Sequence, residues 1–450
     1  MRKFFISLAC ILFFMTAHSQ NVGIGTTNPA AKLHVIDSSV LFSAVFTLPI
    51  TPGNPPASGS GTRMMWYPAK ASFRVGSVLT QNWDKNNIGS YSFASGYNTL
   101  ASGNYAISMG EGSSAVGRTA TAFGTGTALG DYSAAFNSSI ANNTAAVSMN
   151  YGSANGLASV AMGQSTANGS FSTAMGNNAI ASGVYSTAMG SSTASGDLST
   201  AMGYSVAKAY GSFSAGLYND INDAPDAANP LTTDRIFQVG IGNVITTSRN
   251  NAMTILRNGN VGIGTLVPNA LLDIRTNSSQ ALPNLLLYEN ETNDLARLQF
   301  QNTGSGKFWQ IGGFLDQATQ ANCLLNFYVD GTGDVLTLKG NGNATLMGTL
   351  TSASDARLKK DIVPLNNSLR KISRLNGYHY RWINPNMDQD LQTGVLAQEV
   401  QKEFPELVKE DAKGSLSVNY DGLIPHLLEA IKEQEQRIDK LEKRLAELEK

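Results

Sequence analysis

Between residues 91 and 219, apolar positions alternate with Ser, Thr, Gly and Asn on a fixed step. An apolar residue followed by Gly or Asn recurs at Met109, Phe123, Phe136, Met149, Met162, Met175, Met189 and Met202, with successive steps of 14, 13, 13, 13, 13, 14 and 13. A second mark, an alanine usually followed two places later by Gly, falls at Ala101, Ala115, Ala128, Ala141, Ala154, Ala167, Ala181, Ala194 and Ala207. Two marks that keep register this long define an internal repeat. The period holds two strands of about five residues with a tight turn after each. Within Ser159-Val160-Ala161-Met162-Gly163 alternate side chains face opposite ways. Helix is disfavoured because every unit contains breakers. Collagen lacks support without a three-residue glycine period, and calcium-binding nonapeptides lack it without regular aspartates. The expectation is a solenoid with Ala, Val and Met inward and the repeat Met and Phe as core candidates. One such stack has a thin core, and chains associating side by side would cover its remaining apolar faces.

The flanks alternate too. Asn21-Val22-Gly23-Ile24-Gly25-Thr26-Thr27-Asn28-Pro29 recurs as Asn260-Val261-Gly262-Ile263-Gly264-Thr265-Leu266-Val267-Pro268, and each copy leads into an apolar strand. A phosphate-cradling loop would need a helix after the glycines, and the prolines followed by alternating strands deny it. Residues 51–62, rich in Pro, Gly and Ser, read as a linker. Strand-like runs at 285–288 and 323–329, with turn signals at Asp330-Gly331 and Asn341-Gly342, predict a β-rich shaft or knob.

After residue 350 charge and helix formers take over. Ser354 or Asp355 caps a short basic helix or turn. Gly377 to Trp382 is an aromatic strand, Gly394 to Val400 opens a helix, and Val418 to Pro425 leads to the last one. In that last helix Ile424, Ile431, Ile438 and Leu445 fall at heptad position a, and Leu427, Gln434, Leu441 and Leu448 at d, so it reads as a coiled coil. The heptads alone leave the strand number open, because Ile at a with Leu at d also suits dimers.

A formal net charge of −1 gives no field that would recruit nucleic acid. At the N-terminus Arg2 and Lys3 precede an apolar run from Phe4 to Met15, and Ala17-His18-Ser19 supplies small residues before Gln20. This reads as a secretory signal over 1–19. Cys10 lies inside the apolar run, unlike a lipoprotein cysteine. Removal of the leader leaves Cys323 alone, so no intrachain disulfide is expected. His34, His379 and His426 lack metal-ligand spacing, no motif marks a cofactor or metal site, and no glycosidase-like carboxylate pair is marked.

Two resemblances sharpen this reading. Ser-Val-Ala-Met-Gly at 159–163 and Ser-Thr-Ala-Met-Gly at 172–176, 186–190 and 199–203 resemble the heads of trimeric autotransporter adhesins of the YadA type. That likeness implies a trimeric left-handed β-roll that binds host or matrix surfaces; the membrane barrel of those adhesins has no counterpart after it here. The set at 352–432 resembles the intramolecular chaperone domain of endosialidases and phage tail spikes, peptidase family S74. In that family a serine and a lysine five residues later form a self-cleaving dyad, and the matching positions are Ser354 and Lys359. The resemblance implies attack of Ser354 on the Ala353 carbonyl, an ester that water resolves, and release of residues 354–450. A lysine serves as the base when burial favours its neutral form.

The chain is therefore expected to be mostly β: a trimeric left-handed β-roll solenoid with flanking β shaft segments, then a small α+β chaperone domain and a coiled coil. The expected parts are a signal peptide (1–19), an N-terminal β segment (20–90), head repeats (91–219), a β shaft or knob (220–350), the chaperone domain (351–430) and the coiled coil (424–450). The expected function is an exported homotrimeric fibre or adhesin at the cell surface. It would meet a host, matrix or cell-surface ligand, trimerise through Ile424, Leu427, Ile431, Ile438, Leu441, Leu445 and Leu448, and cut itself once between Ala353 and Ser354. It would use no cofactor and act on no external substrate. A phage-like receptor-binding fibre and a non-cleaving surface protein are the alternatives.

Overall fold

The computed structural model describes residues 21–243, 245–279, 281–304 and 306–449; the leader read at 1–19 lies outside them. The chain divides into two compact units at Asn284/Leu285.

In the first unit small side chains let the backbone coil tightly on itself. Each coil gives a strand of three to five residues to a long sheet, from Phe93–Tyr97 through Val160–Met162 to Phe213–Leu217. It then gives a two-residue strand to a nine-stranded sheet, from Leu100–Ala101 to Val206–Ala207. The second strand is shorter than the period alone suggested. Pairing between coils is parallel, and its register is the sequence repeat itself. Ala161 opposes Ala174, which opposes Ala188; Ala154 opposes Ala167, which opposes Ala181. The architecture is a β-solenoid, mostly β as expected.

The core corrects the expected inward set. Fully buried alanines such as Ala122, Ala161, Ala174 and Ala188 fill it. Met162 and Met175 lie on the opposite face of the same strands and are half-buried. The reason is geometric: strand alternation puts Ala and the following Met on opposite faces, and the gap between the two sheets is filled by alanine methyls. Phe123 and Phe136 stack on the outer face, ring centres 5.6 Å apart.

Repeated serines fasten coil to coil. Ser165 Oγ donates to the carbonyls of Met162 and Ala174 at 3.0 and 2.9 Å, and Ser192 Oγ does the same with Met189 and Ala201. The glycine after the methionine is set by close approach. Gly176 sits at φ 122°, and a Cβ there would lie 2.6 Å from the Gly190 carbonyl oxygen.

The long sheet continues past the coils on both sides, to sixteen strands. At one end the antiparallel hairpin Gly61–Tyr67/Ser72–Val78 covers the first coil. Met65, Tyr67, Val78, Trp83 and Ile88 form a separate core there. Buried Arg74 donates to the carbonyls of Phe73, Ser92 and Ala101 and to Ser92 Oγ. Burial pushes its guanidinium down to about 10, still charged at neutral pH. At the other end Asn219, Asp220, Arg235, Gln238, Asn251 and Thr254 make a buried polar network, with Arg235 on Asp220 at 2.6 Å. These ends replace the missing neighbour coil, as a stacked repeat requires.

The second unit holds a five-stranded antiparallel meander, Ala296–Gln301, Phe308–Phe314, Leu324–Val329, Gly333–Lys339 and Ala344–Leu346. Helices α1 (Ser368–Ile372), α2 (Ala397–Glu403) and α3 (Leu423–Leu448) follow. Hairpins Tyr378–Tyr380/Gln392–Gly394 and Val408–Glu410/Leu416–Val418 accompany them. Val400, Phe404, Leu407 and Leu423 form the core of this helical part.

Candidate functional site

The residues expected to carry chemistry meet in a single turn. Asp355 Oδ1 accepts the Arg357 backbone N–H at 2.9 Å, starting a 3₁₀ turn over Ala356–Leu358. Leu358 N–H bonds the Asp355 carbonyl and Lys359 N–H the Ala356 carbonyl, each at 3.1 Å. The Arg357 guanidinium donates through Nε to Asp355 Oδ1 and through Nη2 to Oδ2, and this pairing holds the carboxyl below the usual carboxylate range. The turn brings Lys359 back over Ser354, where Nζ donates to Oγ at 2.8 Å. A separation of five residues is what one such turn spans.

Both side chains are exposed in the single chain. A serine hydroxyl becomes a useful nucleophile when a base takes its proton, and a lysine serves when water is removed from it. The geometry thus supplies proximity, and any desolvation must come from a covering surface.

Elsewhere in the helical part, Glu399 on α2 accepts from Tyr378 Oη at 2.7 Å and from Asn376 N–H and Nδ2 at 3.2 and 3.3 Å. The Tyr378 bond, followed by those from Asn376, holds the Glu399 carboxyl low, and the same bond raises the Tyr378 hydroxyl. Helix α3 is tied down by polar residues that sequence reasoning passed over. Glu433 accepts the Ser368 and Leu369 N–H groups at 2.9 and 3.1 Å, capping α1. His426, buried, meets Ser368 Oγ through Nδ1 at 3.3 Å and packs on Phe404. The two lie seven residues apart on the face that carries buried Leu423 and Ala430. That spacing was visible but shared by any heptad position. Of the other histidines, His34 Nδ1 accepts the Ala30 N–H and His379 pairs with Thr393 Oγ1.

The neighbouring face of α3, about a quarter turn round the helix, is open. Ile424, Leu427, Ile431, Ile438, Leu441, Leu445 and Leu448 are all exposed, from 41% at Ile438 to 79% at Leu448. Among the described residues no group of three or more His, Cys, Asp or Glu could hold a metal ion, and no helix is long and apolar enough to cross a membrane.

Comparison with known proteins divides along the same parts. Residues 88–113 and 167–193 match the YadA head domain repeat, and residues 354–409 match the family described as chaperone of endosialidase. Curated relatives include the long tail fiber protein Gp37 of Escherichia phage AR1, 36% identical over 96 residues, or 20% of this chain and 9% of that protein. The Salmonella phage S16 protein of that name is 33% identical over 129 residues, 26% of this chain and 17% of its own length. That of Enterobacteria phage Ox2 is 30% identical over 131 residues, 28% and 50%. The chain thus spans half or less of the length of these relatives. It is a tail-fibre- and adhesin-like protein that carries YadA head repeats and an endosialidase-type chaperone module.

Proposed function

We propose that this protein is an exported homotrimeric surface fibre whose C-terminal module gathers three chains and then cuts itself off between Ala353 and Ser354. The observation that carries the reading is the unpartnered apolar stripe on α3. Each Leu or Ile buried between helices contributes about 1.5–3 kcal/mol, enough in sum to hold chains together while slow, non-local β pairing proceeds. The half-buried Phe and Met column on the solenoid is the surface that neighbouring chains would cover in turn. Separately, a partner chain packed on the C-terminal module would desolvate the turn at Ser354 and Lys359, so that cutting follows assembly. Ser354 Oγ then loses its proton to neutral Lys359 and bonds to the Ala353 carbonyl carbon. The Ala353–Ser354 C–N bond breaks as the protonated Lys359 returns that proton to the leaving nitrogen, and water hydrolyses the ester to the Ala353 carboxylate and the Ser354 hydroxyl. Afterwards the shaft would persist by its unfolding barrier.

Intact mass tests the processing. Wild type is expected to lose residues 354–450, whereas Ser354→Ala and Lys359→Ala stay full length. Full-length chains in all three would leave the module as a permanent clamp. The likeness to phage long tail fibers favours a second reading, a receptor-binding fibre assembled inside cells. Recovery of the N-terminal leader uncut on intracellular protein would select it.

A further inference from the structure

The segments 21–35 and 260–274 build the same small unit twice. Val22–Ile24 pairs in parallel with Leu33–Val35 just as Val261–Ile263 pairs with Leu272–Ile274, in the same register. Asn21 and Asn260 each donate Nδ2 to the carbonyl of the proline eight residues on, at 3.2 and 3.1 Å. Thr26 and Thr265 Oγ1 each accept the N–H two residues on. Gly25 and Gly264 turn the chain at φ 79° and 68°.

The copies differ at one edge. In the second, antiparallel strand Asn251–Leu256 lies along Val261–Ile263, with Ile255 opposite Val261, Thr254 opposite Gly262 and Met253 opposite Ile263. Leu256 N–H bonds the Asn260 carbonyl at 2.9 Å, and Gly264 N–H bonds the Ala252 carbonyl at 3.1 Å. In the first copy the two strands make a sheet by themselves. No strand among the described residues lies beyond Val22–Ile24, and Val22 and Ile24 are 56% and 50% exposed. The edge carries neither charge nor proline, two devices that guard strand edges against pairing.

We propose that Val22–Ile24 is a docking edge for a β-strand donated by another polypeptide. The donated strand runs antiparallel, with apolar residues opposite Val22 and Ile24 and a small polar residue opposite Gly23. The Asn21 carbonyl and the Gly25 N–H are its outer anchors, as Asn260 and Gly264 are in the filled copy. Backbone bonds supply the attachment, and the two apolar positions supply the selectivity, as in strand addition generally.

A fluorescent peptide with the sequence of residues 250–257, titrated into the full-length protein and followed by anisotropy, tests this. Saturable binding at one peptide per chain is expected. In the antiparallel ladder the Thr254 N–H faces the accepting edge and the Ile255 N–H faces away. N-methylation at the threonine should therefore weaken binding about tenfold or more, and N-methylation at the isoleucine should leave it unchanged. The protein variant Val22→Lys/Ile24→Lys, with circular dichroism unchanged, should lose binding. No binding to the wild-type chain, as when a second copy already fills the edge, would overturn the proposal. So would equal binding of the two methylated peptides, or undiminished binding to the lysine variant.

Discussion

Trp83→Ala probes whether the solenoid depends on its end cap. Trp83 is fully buried in the cluster below the first coils, its indole N–H bonds the Thr99 carbonyl at 3.0 Å, and the Arg63 guanidinium lies 5.5 Å from its ring centre. Truncation of a buried Trp costs about 3–5 kcal/mol, and part of that is the bond left unmade at buried Thr99. Taking about 4 kcal/mol, local opening of the neighbouring coils should become about 10³-fold easier. Coils touch only their neighbours, so the damage should stay at that end. Hydrogen exchange read by mass spectrometry should show peptides from 88–115 exchanging about 10³-fold faster, with those from 186–209 unchanged. Trp83→Phe should recover part of the loss. Equal acceleration in all coils, or none in any, would refute the reasoning.

Two further perturbations separate array from cap. Deleting residues 159–171 removes one whole coil and joins Ala158 to Ser172 in register, so thermal melting should shift by about 5 °C or less; deleting 159–165 breaks the register, and circular dichroism should show loss of the cooperative β transition. At the other cap, burial would raise the Asp220 carboxyl, but Arg235 and Asn222 hold it below its ordinary 3.8. The stability it contributes is therefore in place above about pH 3.8 and drains away as pH falls through the depressed value. Urea midpoints between pH 5 and 2 should show that loss in wild type and a flatter profile in Asp220→Asn, which should itself cost about 3 kcal/mol at neutral pH.

The coil was legible because its marks repeat, and the pairing of Ala161 with Ala174 and Ala188 is the sequence period written in space. Which face turns inward was not, since alanine and methionine are both apolar. Hydrophobicity favours methionine inside, and only the narrow gap between the sheets selects alanine. The caps were hidden for the opposite reason. Arg74, Asn219 and Asp220 occur once each, look like surface residues in the sequence, and are buried because each closes an end. Pairing of Ser354 with Lys359 rested on a resemblance, and the Asp355-capped turn now gives it a local cause. The ties that Glu433 and His426 make to α1 went unread because polar residues in a charged helix signal nothing until the face they occupy is known.

The central claim is that three chains assemble through α3, and light scattering of the Ser354→Ala protein tests it most directly. The predicted mass is about three times that of the single chain, which is 47.7 kDa over the full sequence, falling to a single chain in Ser354→Ala combined with Ile431→Asp and Ile438→Asp. A single-chain or two-chain mass for Ser354→Ala itself would contradict the account.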